Sequence, residues 1–263
     1  VGGVALGGGS GVKIQSMTTT KTADVEKTVA QISALEKAGC EIIRVAVSDE
    51  ADALAIQSVK EKIHIPLVAD IHFSPKLAVM AIESGADKVR INPGNIGGEA
   101  EIKYVADCVK AHHIPVRVGS NTGSIEKHFL EKYGKSANAL VESALYNVGI
   151  LEKFGVNDIV ISVKASDVKL TVDAYTVLAN RTSYPLHLGV TEAGTTEAGI
   201  VKSAVGIGSL LLNGIGDTIR VSLTDNPVKE VYAAKNILRA CGLDEAFVEV
   251  VSCPTCGRCE WES

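Results

Sequence analysis

Eight short apolar runs recur along the 263 residues, each separated from the next by a segment of helical character. They fall at 12–17, 42–47, 66–71, 87–92, 115–120, 158–163, 186–190 and 217–222. The run IVISV at 159–163 is nearly unbroken, the pattern of a strand buried on both faces. Between the runs, Val25, Val29 and Ile32 keep helical spacing within 24–38, and Gly39 supplies the stop. Ser74-Pro75 and Asn226-Pro227 each put a capping side chain before a first-turn proline, and Gly85 and Gly242 close the helices that follow. A weak repeat (HIP at 64–66, HIP at 113–115, SYP at 183–185) leads into a strand three times. Strands and helices in strict alternation call for a parallel sheet with helices outside it. Eight such units predict an α/β fold, a (β/α)8 TIM-type barrel over 1–248, with 249–263 as the start of a second domain. A doubly wound sheet is the competing fold, but Gly7, Gly8 and Gly9 and the loop from Gly94 to Gly98 do not form a dinucleotide fingerprint.

Composition removes several classes of function. The net charge of −5 argues against broad nucleic-acid binding, though it leaves room for a local basic pocket. The longest uncharged stretch, 203–216, is glycine-broken and shorter than the ~20 residues of a membrane helix. No signal peptide opens the chain, so the expectation is a cytoplasmic protein with neither membrane nor nucleic-acid partners. The chain begins at Val1 without a methionine and stops four residues after its last cysteine, and is expected to be cut at both ends.

Barrel enzymes carry their sites at the C-terminal ends of the strands. Read in order, those ends give Met17, Arg44, Asp70 with His72, Arg90 with Asn92, Arg117 with Asn121, Lys164, Glu192, and Arg220 with Ser222. Five strands thus bring a cation to the mouth of an acidic protein, and a buried charge needs a partner. One reading is internal pairing with Asp70, Asp87, Glu192 or Asp217. The other is a polyanionic ligand, a phosphate or diphosphate. The loop from Asn92 to Gly98 is a candidate source of further backbone donors. His72 shares a strand face with Asp70 and is either structural or ligand-facing. Glu192, on a glycine-flanked loop, is a candidate proton donor or a plain counter-charge to Lys164 or Arg220. His112 and His113 belong to the opposite rim.

Cys253, Cys256 and Cys259 form two overlapping Cys-x-x-Cys pairs near the C-terminus. Thiolates at that spacing fold onto one metal centre, zinc or iron–sulfur, and leave it one ligand short. A redox dithiol is the weaker reading, because the motif does not open a helix after a first strand. Cys40, Cys108 and Cys241 sit on helical patterns and read as packing residues.

Taken together, GGG at 7–9, VKIQSMT at 12–18, ADIHF at 69–73, RINPGNIG at 90–97, VISVKAS at 160–166, LGVTEAG at 188–194, GDTIRVS at 216–222 and SCPTCGR at 252–258 resemble the 4-hydroxy-3-methylbut-2-enyl diphosphate synthases of the bacterial type. The resemblance runs over nearly the whole chain. It implies reductive opening of 2-C-methyl-D-erythritol 2,4-cyclodiphosphate in the non-mevalonate isoprenoid pathway, with loss of water. It implies a 4Fe-4S cluster fed two electrons by ferredoxin or flavodoxin, and a homodimer in which the C-terminal domain of one subunit caps the barrel of the other. It makes Arg44, Arg90, Lys164, Arg220 and Ser222 diphosphate contacts. Asp70, His72, Asn92, Arg117, Asn121 and Glu192 line the rest of the pocket, with Glu192 nearest the reacting carbon.

Cys253 and Cys256 match two cluster ligands. Cys259 does not stand at the position of the third, so by resemblance the fragment binds substrate and does not turn over alone. Ser120 stands where the family pattern suggests an apolar residue, an expected small change in the pocket. No inserted domain interrupts the barrel, which disfavours the plant form. A pterin-binding barrel transferase and a non-catalytic zinc-binding fragment are the alternatives.

Overall fold

In the computed structural model, residues 1–244 are described together with Ser252 and Cys253. The expected domain boundary at 248/249 lies outside them, as do Cys256 and Cys259. Strands β1 (Lys13–Met17), β2 (Ile42–Ala46), β3 (Leu67–Asp70), β4 (Lys88–Ile91), β5 (Val116–Asn121), β6 (Ile159–Lys164), β7 (His187–Leu188) and β8 (Thr218–Ile219) form one parallel sheet in the order β6-β5-β4-β3-β2-β1-β8-β7. A parallel bridge between Ile161 and Leu186, with Ile161 N donating to Pro185 O at 2.9 Å, joins its two ends and closes the barrel.

Helices α1 (Val25–Ala38), α2 (Glu50–Lys60), α3 (Pro75–Glu83), α4 (Pro93–Ile96), α5 (Glu99–His112), α6 (Lys127–Tyr133), α7 (Ala137–Lys153), α8 (Val168–Ala179), α9 (Thr196–Leu211) and α10 (Pro227–Ala240) make up the outer layer. Their ends are where the side chains dictate. Asp24, Ser74 and Asn226 accept from Lys27 N, Leu77 N and Val228 N, and Gly39 takes the left-handed conformation that stops α1, at φ 102°.

The last two strands are shorter than the sequence suggests. The extended chain does not stop with them, since Arg220 N still donates to Leu188 O at 3.0 Å one residue past β8. Gly189 follows β7 directly and packs against the Arg220 carbonyl.

Alternation along the strands sorts residues to two sides. Ile14, Ile43, Val45, Ala69, Val89, Val116, Val118, Ile159 and Ile161 join the apolar layer under the helices. The alternate positions point into the barrel and are polar to an unusual degree: Gln15, Lys88, Arg117, His187 and Thr218 are all at or below 1% exposure. Ser120 falls on the outward parity. Its Oγ meets Ser143 Oγ of α7 at 2.9 Å, so the departure from an apolar residue lies behind the wall and does not reshape the pocket. Cys40 is buried, and burial pushes its thiol up to about 12. Cys108 and Cys241 are half-buried against the same layer.

Lys88 occupies the interior of the barrel with no exposed surface, and its Nζ has no hydrogen-bond partner among the described residues. Burial, with Arg117 and Arg44 nearby, lowers its pKa from 10.5 to about 7. A base whose folded pKa is depressed is destabilising when charged. Stability therefore rises with pH from about 7 to 10.5, where the unfolded chain holds the proton and the folded one has released it. Lys88→Met is expected to stabilise the protein at pH 7 by on the order of 4 kcal/mol and to flatten that rise, as read by chemical denaturation across the range.

Candidate functional site

The interior opens at the C-terminal end of the strands into a cavity of about 280 Å³, lined by Met17, Arg44, Asp70, His72, Arg90, Arg117, Asn121, Ser162, Lys164, Thr191, Arg220 and Ser222. Nine of the eleven pocket residues read from the sequence meet there. The strand register places them: Asp70 lies beside Arg90, Arg90 beside Arg117, and Asn121 beside Lys164.

Five cations and one carboxylate line the cavity. Asp70 is 4% exposed and pairs with Arg90 Nη1 at 3.1 Å and Arg44 Nε at 3.5 Å, with His72 Nε2 at 3.9 Å on its outer side. Burial alone would raise the Asp70 pKa, but Arg44, Arg90 and Arg117 overcome it and hold the carboxyl at about 2. Arg44 is brought down to about 10 by burial and by the like charges of Arg220 and Arg90, against the pull of Asp70. Its Nε and Nη2 also lie 3.2 and 3.0 Å from the sulfur of Met17, which sits 3.8 Å from Arg220 Nη1 on the other side.

Arg117 and Lys164 have no ion pair among the described residues. Burial and neighbouring guanidinium groups push both well below their ordinary pKa values, and Arg117 keeps Nε and Nη1 without a hydrogen bond. A site that holds cations so far from their preferred state favours an anion that restores it.

The other carboxylates considered for internal pairing are elsewhere. Asp87 and Asp217 immediately precede β4 and β8 on the opposite rim, where they accept from Leu67 N and Leu186 N at 2.7 Å. Asp87 also pairs with Lys60. Glu192 is exposed and outside the lining, and makes no ion pair with Lys164 or Arg220 among the described residues. Its backbone is left-handed at φ 51°, a conformation uncommon outside glycine, and it follows Thr191, which does line the cavity.

Asn92 also departs from expectation. Its side chain caps the short helix α4 by accepting from Gly94 N at 3.2 Å, and Asn147 accepts from the same N–H at 2.8 Å. That loop donor is therefore already satisfied, and the loop borders a separate groove with Glu126, His128 and Tyr146. Lys153 is the sole basic group lining that groove apart from His128, so it lacks the convergent charge of the barrel mouth.

Met17 was noted only as a strand end, whereas Ser162 and Thr191 were not singled out at all; strand parity would have found Ser162. Glu230 was also missed. It is 4% exposed on α10 and accepts from Arg220 Nη2 at 3.4 and 3.5 Å, from Leu223 N at 3.0 Å and from Ser16 Oγ at 3.3 Å. A carboxylate on the face of α10 that carries Val231, Ala234 and Ile237 is the signal that could have found it. Two strand-end glycines matter as well. A Cβ on Gly119 would stand 2.8 Å from Arg90 Nε, and one on Gly189 would stand 2.9 Å from Lys164 Nζ.

Exposed Cys253 is the only member of the terminal cysteine run within the described residues, and no group of three His, Cys, Asp or Glu side chains suited to a metal ion occurs among them. They therefore do not amount to a cluster site. No helix among the described residues is long and apolar enough to cross a membrane.

The barrel resembles dihydropteroate synthases, among them those of Yersinia pestis (11% identity, TM-score 0.62, 88% of this chain and 93% of that one) and Coxiella burnetii (12%, 0.61, 89% and 95%). At such identity the likeness concerns the fold alone. Proteins named 4-hydroxy-3-methylbut-2-en-1-yl diphosphate synthase (flavodoxin) are far nearer in sequence. Those of Caldanaerobacter subterraneus and Caldicellulosiruptor saccharolyticus are each 58% identical over 98% of this chain, covering 73% and 75% of the relative. That of Fusobacterium nucleatum is 54% identical over 99% of the chain and 74% of its own length.

The geometry leads to one expectation at this level. Gly119→Ala should displace the Arg90 guanidinium and weaken binding of inorganic diphosphate about tenfold by calorimetry, with an unchanged far-ultraviolet circular dichroism spectrum. The model of the GcpE TIM-barrel domain matches residues 1–235, and the chain belongs to that family.

Proposed function

We propose that the chain is the substrate-binding barrel of an enzyme that opens 2-C-methyl-D-erythritol 2,4-cyclodiphosphate reductively and releases water to give 4-hydroxy-3-methylbut-2-enyl diphosphate. The observation that carries this reading is the convergence of Arg44, Arg90, Arg117, Lys164 and Arg220 on one cavity whose lining offers a single carboxylate, Asp70.

The residues of the mouth act as an electrostatic clamp. Asp70 pairs with both Arg44 and Arg90, while Arg117 and Lys164, with no ion pair among the described residues, are the cations left for phosphate oxygens. When the ring carbon–oxygen bond breaks, negative charge gathers on the diphosphate oxygen that it leaves. Donors already fixed around that oxygen stabilise the charge without reorganising. Asn121, Ser162 and Ser222 offer neutral donors on the same wall. Glu192, at the lip next to Thr191, is the proton donor to the departing hydroxyl in this reading. It sits one residue after the lining residue Thr191, in a left-handed backbone conformation and outside the cation cluster.

On the family resemblance, a 4Fe-4S cluster fed by flavodoxin or ferredoxin would supply the two electrons of the ring opening, and Cys253 and Cys256 are the residues of this chain that would hold it. A homodimer in which a second subunit's C-terminal domain covers the mouth, and a cytoplasmic setting, complete the proposal on the family resemblance.

Calorimetry with the cyclodiphosphate and with a pterin tests the assignment. The cyclodiphosphate should bind with an affinity that falls as salt is raised, and the pterin should not; the reverse would favour a pterin transferase. Arg220→Ala is expected to lose roughly 2–3 kcal/mol of that affinity, and an unchanged value would make Arg220 a structural residue. Glu192→Gln should lower kcat at least a hundredfold while the cyclodiphosphate still binds, as measured by parallel turnover and titration of the cluster-loaded enzyme.

A further inference from the structure

Glu230 lies on α10, outside the barrel wall, and is no part of the cavity lining. Its carboxylate nevertheless gathers three elements of the mouth. It takes the outer Nη of Arg220, the backbone N–H of Leu223 directly after Ser222, and the hydroxyl of Ser16 in the neighbouring strand β1. The position also suits a carboxylate because it falls in the first turn of a helix, where the backbone dipole favours negative charge. The Arg220 contacts of 3.4 and 3.5 Å are long for a charge-assisted bond. Arg220 is thus tethered without being drawn out of the cavity that it lines.

We propose that Glu230 is a positioning residue for diphosphate recognition, holding Arg220 and the turn at Ser222 in the geometry that receives a phosphate. The proposal rests on the diphosphate reading of the mouth. It makes a distinctive demand, because Glu230 is itself negative. By Coulomb's law alone, removing its charge should tighten the binding of an anion a few ångströms away. As a plain anchor for α10, it should change stability and leave affinity alone. A positioning role demands the opposite of the Coulombic outcome, a loss of affinity when the negative charge is removed.

Titration of the full chain with 2-C-methyl-D-erythritol 2,4-cyclodiphosphate separates these. Glu230→Gln should bind about tenfold more weakly than wild type, the scale of one charge-assisted hydrogen bond. Glu230→Asp, with the charge kept but the carboxylate drawn back, should also weaken binding. The double variant Arg220→Gln with Glu230→Gln should lose less than the sum of the two single losses, the remainder passing through the turn at Ser222. Equal or tighter binding by Glu230→Gln, or wild-type affinity in Glu230→Asp, would overturn the proposal. Should Glu230→Gln fail to fold, the Glu230→Asp comparison decides by itself. Failure of the wild type to bind the cyclodiphosphate would instead bring down the diphosphate reading on which the proposal stands.

Discussion

Positive charge held inside a closed apolar wall is the condition on which the rest of this structure depends. A parallel barrel has two surfaces, and here the chain uses them for opposite purposes. Most outward positions of the strands are Ile, Val, Leu and Ala packed under helices, and this layer supplies the stability. The inward positions hold Lys88, His187 and Gln15, with Arg44, Arg90, Arg117, Lys164 and Arg220 lining the mouth. Such an interior is tolerable only because the outer layer is continuous around the barrel. The cost of the interior is what makes the mouth selective: a cation kept from water gains more from an anion than an exposed one does.

Much of this was legible in the sequence. Element order follows from apolar runs broken by caps and prolines, and parity from the strand then assigns Arg44, Arg90, Arg117, Lys164 and Arg220 to the inside without any structure. Three kinds of residue resisted. Asn92 stands at a strand end and carries the right side chain for a ligand, but a helix begins one residue later and takes its side chain as a cap. Asp87 and Asp217 look like counter-charges until the register puts them at the opposite rim. Glu230 is distant in sequence from Ser16 and meets it and Arg220 together only when α10 packs against β1; periodicity identifies its face but not its partner. Ser120 shows the converse. A polar residue in a pocket motif proved to belong to a serine pair against α7, since one step along a strand reverses the side it serves.

Resemblance and geometry divide the work. The likeness to dihydropteroate synthases says only that this barrel can be built from very different sequences. The relatives above 50% identity, and the matched family domain over 1–235, fix the family. Within the barrel, the charge arrangement is an independent argument for a diphosphate, because it follows from register and burial alone.

Gly119 and Gly189 lead to a further consequence. At both positions the neighbouring cation already occupies the space of a missing side chain. The smallest residue is in place, so natural variation at these two points can only narrow the cavity. Change in the size or shape of the ligand accepted must instead pass through the neutral wall, at Ser162, Thr191 and Asn121. The cationic side is thereby the fixed part of the barrel mouth, and the neutral side is the part at which a single substitution can enlarge it.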